Sequence, residues 1–113
     1  MNIQIFGSKK SSDSRKAERW FKERRIKFQY NDLAEKGLSK GELRSVAQAA
    51  GGIEALIDEK AKDAYAVALV QHTPASMMED VLLENQQVLR APIVRNGRQA
   101  TVGYAPDIWK TWE

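Results

Sequence analysis

The chain has 113 residues with a net charge of +3, and 42% of the residues are hydrophobic and 29% charged. This composition is typical of a soluble globular protein, and residues 1–113 are long enough for one domain but not for two. The sequence contains no cysteine and one histidine. Disulfides, thiolate metal sites, cysteine nucleophiles and multi-histidine metal sites are therefore excluded.

No apolar run approaches the roughly 20 residues that cross a bilayer, and the N-terminus lacks the pattern of a signal peptide. We therefore expect a cytoplasmic protein with no membrane partner. The mildly basic charge is common in small domains and does not by itself indicate a nucleic-acid partner. No direct DNA binding is expected.

The first third of the chain predicts a β-α-β unit. Ile3 to Gly7 alternates as a short strand does. A helix follows, with an apolar face at i, i+3, i+4 spacing and a cap at Ser11, Ser12 or Asp13; the face is made by Ala17, Trp20 and Phe21. Residues 26–30 predict a second strand. Because a helix connects the two strands, we expect them to be parallel.

The middle of the chain predicts a helical insert over about residues 39–90. Ser39 and Glu42 have the spacing of a capping box, so a helix is expected from there to about Ala50. Further helical segments are expected over 53–57 and 61–71. Thr73 is the expected cap of one more helix, with Pro74 at its first position.

The end of the chain returns to strands. Asn96-Gly97 predicts a hairpin turn between a strand starting at Pro92 and one over residues 98–102. A last helix is expected from Ala105 to Trp112, with its tryptophans packed on the sheet. The element order is β-α-β, helical insert, β-β-α, which predicts an α/β protein with a mixed sheet.

Cations surround the N-terminus of the first helix. Lys9, Lys10, Arg15 and Lys16 lie where the helix already carries partial positive charge. An anion held by free backbone N–H groups and serine hydroxyls would explain this placement. The alternative is that these side chains simply extend into solvent.

The segment from Phe6 to Phe21 resembles the opening of the arsenate reductase (ArsC)/Spx/YffB-like family, which has a thioredoxin fold. Its features are an aromatic strand end, a short loop, the position of a reactive cysteine, basic residues and an aromatic-ended helix. The resemblance continues along nearly the whole chain, at residues 54–60, 91–94 and 102–104. It implies a single thioredoxin-like domain over residues 1–113.

The resemblance places Ser11 at the position of the family's redox cysteine, the nucleophile of the reaction. Ser14 matches the second cysteine of the Spx-type Cys-x-x-Cys motif. A serine hydroxyl is only weakly acidic and has no disulfide chemistry. The chain as given is therefore expected to be redox-inactive.

Two of the family's anion-holding arginines are also altered. Lys60 stands at one such position, and Ala91 replaces the arginine before the proline, although Arg90 precedes it. Pro92 matches a proline that is cis in the family. The resemblance implies an anion site at the first helix that includes Lys10, Ser12, Ser14, Arg15, Lys60 and Arg90.

These departures predict a non-catalytic family member that binds an anion or a partner. One alternative is an arsenate reductase-like thiol oxidoreductase, with glutathione as co-substrate, whose nucleophilic cysteine has been changed to Ser11; the altered Lys60 and Ala91 argue against it. Another is an Spx-like transcriptional regulator that binds RNA polymerase. No resident cofactor or metal is expected.

Overall fold

The computed structural model describes residues 1–112, which form a four-stranded mixed sheet and the helices packed on it. In chain order the elements are β1 (Ile3–Gly7), α1 (Ser12–Glu23), β2 (Phe28–Asp32), α2 (Lys40–Ala50), α3 (Ala64–Gln71), α4 (Ala75–Leu83), β3 (Ile93–Asn96), β4 (Gln99–Val102) and α5 (Pro106–Trp109). Two short 3₁₀ turns, Ile53–Leu56 and Gln86–Val88, complete the helical region between β2 and β3.

The sheet has the strand order β2-β1-β3-β4. Strands β1 and β2 are parallel, with Ile3 opposite Phe28, as expected for strands joined by a crossover helix. Strand β3 is antiparallel to β1, with Ile5 opposite Val94, and β3 and β4 form a hairpin. The predicted mixed sheet is therefore confirmed.

Alternation along the strands divides the apolar residues between two cores. Ile3 and Ile5 face α1 and α5, while Phe6 and Ile93 face the helical region on the opposite side. Because side chains alternate along a strand, β1 can serve both cores at once. Both ends of β1 are thereby fixed, including the end that leads into α1.

Trp109 is the largest fully buried side chain in the α1–α5 core, with 1% of its surface exposed. Its ring centroid lies 5.0 Å from that of Phe21 and 5.4 Å from that of Trp20. Its Nε1–H donates to Thr101 Oγ1 on β4 at 2.7 Å. The expected packing of Trp109 and Trp112 on the sheet is confirmed, since both are buried in this cluster.

Strand β2 begins at Phe28, two residues later than predicted. Arg25 has a φ of 56°, in the left-handed region, and the Ile26 N–H donates to the Phe21 carbonyl at 3.0 Å. These residues close the C-terminus of α1 in the way that left-handed residues often close helices. They are therefore unavailable to the strand.

Three predicted helix ends in the second half of the chain are wrong. Helix α3 begins at Ala64 because Asp63 caps it, its side chain accepting from the Ala66 N–H at 3.0 Å. Thr73 does not cap α4; its hydroxyl donates to the Leu69 carbonyl, and Pro74 occupies the cap position. Helix α5 ends at Trp109 instead of Trp112.

The ends of α2 were predicted correctly. Ser39 Oγ accepts from the Glu42 N–H at 3.2 Å, and the Glu42 carboxylate accepts from the Ser39 N–H at 2.9 Å, which is the reciprocal capping box. Gly51 ends the helix with a φ of 92°.

Burial acts to raise the pKa of Glu42, but its hydrogen bonds to Ser39 and Gln4 and the charge of Arg95 lower it below its usual value.

Candidate functional site

The loop between β1 and α1 is organised around the Ser11 hydroxyl. Ser11 is the N-cap of α1, and its Oγ accepts from the Ser14 N–H at 3.1 Å. The same hydroxyl donates to the Ala91 carbonyl at 3.3 Å. One hydrogen bond therefore caps the helix, and the other ties its start to the segment that precedes β3.

Ser14 is fully buried beneath this loop. Its Oγ accepts from the Ser8 N–H at 3.1 Å, so that a backbone donor of the loop is satisfied by a side chain of α1. The Ser11 N–H donates to the Ser8 carbonyl at 3.1 Å, which closes the turn. Ser14 is thus a structural support of the loop and is not open to a ligand.

The segment facing the loop contains Pro92. The Ala91–Pro92 peptide bond is cis, in agreement with the expectation from the resemblance. The Pro92 carbonyl accepts from the Gly103 N–H at 2.8 Å, which connects the segment to the end of β4. The neighbouring Ala91 carbonyl accepts the hydrogen bond from the Ser11 hydroxyl.

An open groove of about 1100 Å³ begins at this loop and runs toward the helical region. Four lysines line it: Lys9, Lys10, Lys60 and Lys62. Four carboxylates also line it: Asp32, Glu35, Asp58 and Glu84. The groove therefore carries both signs of charge, with Lys9 and Lys10 next to Ser11 at its loop end.

The structure brings together three of the residues that the sequence suggested for the site. Ser11, Lys10 and Lys60 all line the groove, although Lys60 is far from the other two in sequence. Ser12, at the first position of α1, is exposed but does not line it. That these residues hold an anion stays a prediction.

Arg15 and Arg90 bind backbone carbonyls of the chain. Arg15 Nη1 donates to the Lys9 carbonyl at 2.7 Å, and Arg90 Nε donates to the Ile57 carbonyl at 3.1 Å. Neither arginine lines the groove. In this arrangement they brace the segments from which Lys9 and Lys60 project.

Gln86 shapes the groove and was not identified from the sequence. Its Oε1 accepts from the Leu38 N–H at 2.7 Å, and its Nε2 donates to the carbonyls of Leu38 at 2.9 Å and Leu83 at 3.3 Å. One amide thereby fixes the loop after β2 against the end of α4. A single glutamine in a short turn has no sequence pattern that would indicate this role.

Within residues 1–112, none of the helices combines the length and apolarity that crossing a bilayer requires. The same residues hold no cluster of three or more histidine and carboxylate side chains placed to bind a metal.

Comparison with known proteins gives a family match over most of the chain. The family model described as "ArsC family" matches residues 6–112. Among curated proteins, the global transcriptional regulator Spx 2 of Oceanobacillus iheyensis is 26% identical over 109 residues, which is 95% of this chain and 80% of that protein.

Solved structures share the fold. An ArsC family related protein from Bacteroides fragilis superposes with a TM-score of 0.82 at 17% identity, covering 100% of this chain and 98% of the other. Arsenate reductase from Vibrio cholerae superposes with a TM-score of 0.79 at 22% identity, covering 96% and 94%. At these identities the likeness shows the fold alone, and the predicted thioredoxin-like architecture is confirmed.

Proposed function

This chain belongs to the ArsC family, and we propose that it is a non-catalytic member that binds an anionic group of a ligand or partner at the groove beside Ser11. The observation that carries the proposal is the double role of the Ser11 hydroxyl as helix cap and as donor to Ala91. At the position of the family's nucleophile, the side chain is used to hold the loop.

The chemistry of serine supports the non-catalytic part of the proposal. Thiol–disulfide exchange needs a thiolate that attacks sulfur and a sulfur that leaves, and no cysteine exists anywhere in this sequence. The Ser11 hydroxyl bonds to a backbone N–H and to a backbone carbonyl. Among the described residues, no side chain is therefore hydrogen-bonded to it in the position of a general base. The loop can therefore bind but lacks the means to transfer electrons.

The first turn of α1 supplies donors for binding. The N–H groups of Ser12 and Asp13 have no carbonyl partner within the helix, as at every helix start. Lys10 at the loop and Lys60 across the groove add positive charge. Because four carboxylates also line the groove, a ligand with charges of both signs fits better than a large polyanion. Glutathione, with two carboxylates and one ammonium group, is one such ligand.

The test is a titration of the ¹⁵N-labelled protein with sulfate and with glutathione at constant ionic strength. We expect amide shifts at residues 8–14 at millimolar ligand. Lys60→Gln is expected to weaken binding about three- to fivefold, the effect of one partly screened charge. The control is Lys27→Gln, which removes an exposed lysine that does not line the groove and is expected to leave affinity unchanged. No shift at residues 8–14 with either ligand would exclude the binding role.

The Ser11→Cys variant tests the non-catalytic part separately. We expect it to show no arsenate reduction with glutathione, because Lys60 and Ala91 stand where family members hold the oxyanion with arginine. Thiol-dependent reduction by this variant would contradict the proposal and would favour the alternative of an oxidoreductase that has lost its cysteine.

A second candidate function is favoured by the curated relatives, which are global transcriptional regulators named Spx. In this alternative the chain binds RNA polymerase through its folded surface without any redox step. Purified RNA polymerase and the chain should then co-elute in gel filtration, and Ser11→Ala should co-elute equally. Failure of the unmodified chain to co-elute would remove this candidate and leave small-ligand binding.

A further inference from the structure

A second cleft, of about 510 Å³, lies between α2 and the β3–β4 hairpin. Arg44, Ser45 and Gln48 line it from α2, and Arg95 and Arg98 line it from the hairpin. It shares no lining residue with the groove at Ser11. Its volume falls within the range of about 300–1,000 Å³ that is usual for small-ligand sites.

The side chains lining this cleft are cationic or neutral, with no carboxylate among them. Arg44 is already paired, because its Nε lies 2.6 Å from Glu79 Oε1. Within residues 1–112, neither Arg95 nor Arg98 has a carboxylate oxygen within 4.0 Å. Two guanidinium groups therefore reach the cleft without a direct ion pair.

Arg95 is held in place by a chain of hydrogen bonds. Its Nη1 donates to Gln4 Oε1 at 2.8 Å, and Gln4 Nε2 donates to Glu42 Oε2 at 3.3 Å. Gln4 and Arg95 lie directly opposite each other on the neighbouring strands β1 and β3. The guanidinium is thus oriented in advance, at no further entropic cost to a ligand.

The Nε of Arg95 is buried and has no hydrogen-bond partner among the described residues. A buried donor on a charged group costs free energy when it is left unpaired, so each such atom calls for a partner. Glu42 balances part of the Arg95 charge, but its oxygens accept from Ser39 and Gln4. Because this Nε is itself buried, a ligand in the cleft would reach Arg95 at the other nitrogens of the guanidinium, and the Nε is not one of the proposed ligand contacts.

We propose that this cleft binds the phosphate group of a small phosphorylated ligand. Arginine presents a planar fork of donors that matches phosphate oxygens, and two arginines without ion pairs match the two charges of a phosphate monoester. The Ser45 hydroxyl and the Gln48 amide provide further donors on the α2 side. The site is separate from the one at Ser11, so the two proposals succeed or fail independently.

The test is a titration of the full chain with inorganic phosphate, followed by ¹H–¹⁵N spectra and compared with acetate at equal ionic strength. We expect phosphate to shift the amides of residues 44–48 and 95–98. Arg98→Gln, at an exposed position, should raise the dissociation constant about tenfold, as expected for the loss of one charged hydrogen-bonding partner. The matched control is Arg19→Gln, an exposed arginine on α1 on the other face of the sheet, which should bind as the unmodified protein does.

Three results would overturn the proposal: no phosphate-dependent shifts at these residues, equal shifts with acetate, or unchanged affinity in Arg98→Gln. Arg95→Gln removes the guanidinium and its charge and should abolish binding; its fold is checked by circular dichroism. If Arg95→Gln does not fold, Arg98→Gln alone decides the question.

Discussion

Replacement of Trp109 by alanine is expected to lower the free energy of unfolding by about 3–5 kcal/mol. The side chain is 1% exposed and packs edge to face against Trp20, with a ring centroid distance of 5.4 Å. Truncation would leave a cavity in the α1–α5 core and would also remove the donor to the Thr101 hydroxyl, which is itself buried. Urea denaturation monitored by circular dichroism measures the change. Because small domains are stable by only about 5–15 kcal/mol, the variant should be partly unfolded well below the midpoint of the parent.

Two further variants divide the effect into its parts. Trp109→Phe keeps an aromatic ring but loses the Nε1–H, so its cost should be smaller than that of alanine. Ile108→Ala changes the preceding residue, which is 50% exposed, and should cost less than about 0.5 kcal/mol. A Trp109→Ala protein as stable as Ile108→Ala would show that α5 is not part of the cooperative core.

The features that the sequence predicted correctly depend on local chemistry. The capping box of Ser39 and Glu42 is a contact across one helical turn, and Asn96-Gly97 forms its hairpin turn with Gly97 at a φ of 60°. The parallel pairing of β1 and β2 follows from the connection between them and needs no knowledge of side-chain contacts. Such signals survive folding because nothing distant competes with them.

The predicted element ends that were wrong lie where one group has a choice of partners. The Thr73 hydroxyl could cap the next helix or bond the carbonyl four residues back, and it does the latter. Residues 26 and 27 could extend β2 or close α1, and the alternation of Ile26 with Phe28 and Tyr30 favours the strand. In the structure the Ile26 N–H donates to the Phe21 carbonyl, so Ile26 belongs to the C-terminal end of α1 and not to β2.

The candidate site was predictable in position but not in detail. Ser11 at a strand-to-helix junction could be inferred from the resemblance. The directions of Arg15 and Arg90 could not, because long flexible side chains choose between a groove and a nearby carbonyl according to the tertiary packing. Asp58 lies two residues from Lys60, but the other three carboxylates that share the groove come from the end of β2, the loop after it and the end of α4, and only the fold brings those to Lys60.

The Gly7→Ala variant is expected to lose about 2–3 kcal/mol of stability, since a buried methyl group would be forced into filled space. A Cβ at Gly7 would lie 2.7 Å from Tyr30 Oη, 3.0 Å from Ser14 Oγ and 3.1 Å from Ser14 Cβ. Burial, together with the charges of Glu18 and Asp32, raises the pKa of Tyr30. Ser14 can yield little, because it is buried and accepts from the Ser8 N–H.

The effect should therefore extend from stability to the loop itself. Displacing Ser14 would disturb the hydrogen bond from its N–H to Ser11, so amide shifts are expected at residues 8–14 in spectra of the folded variant. Tyr30→Phe in the same chain removes the closest atom and should restore about 1 kcal/mol, leaving the contact with Ser14. The matched control is Gly41→Ala on α2, where a Cβ meets nothing within 4 Å; there the same substitution should be neutral or stabilising by up to about 1 kcal/mol, through helix propensity. Equal stabilities for the two alanine variants would mean that the loop at Ser11 does not rest on the close contact between Gly7 and Ser14, and the argument that the serines hold the site in shape would fall with it.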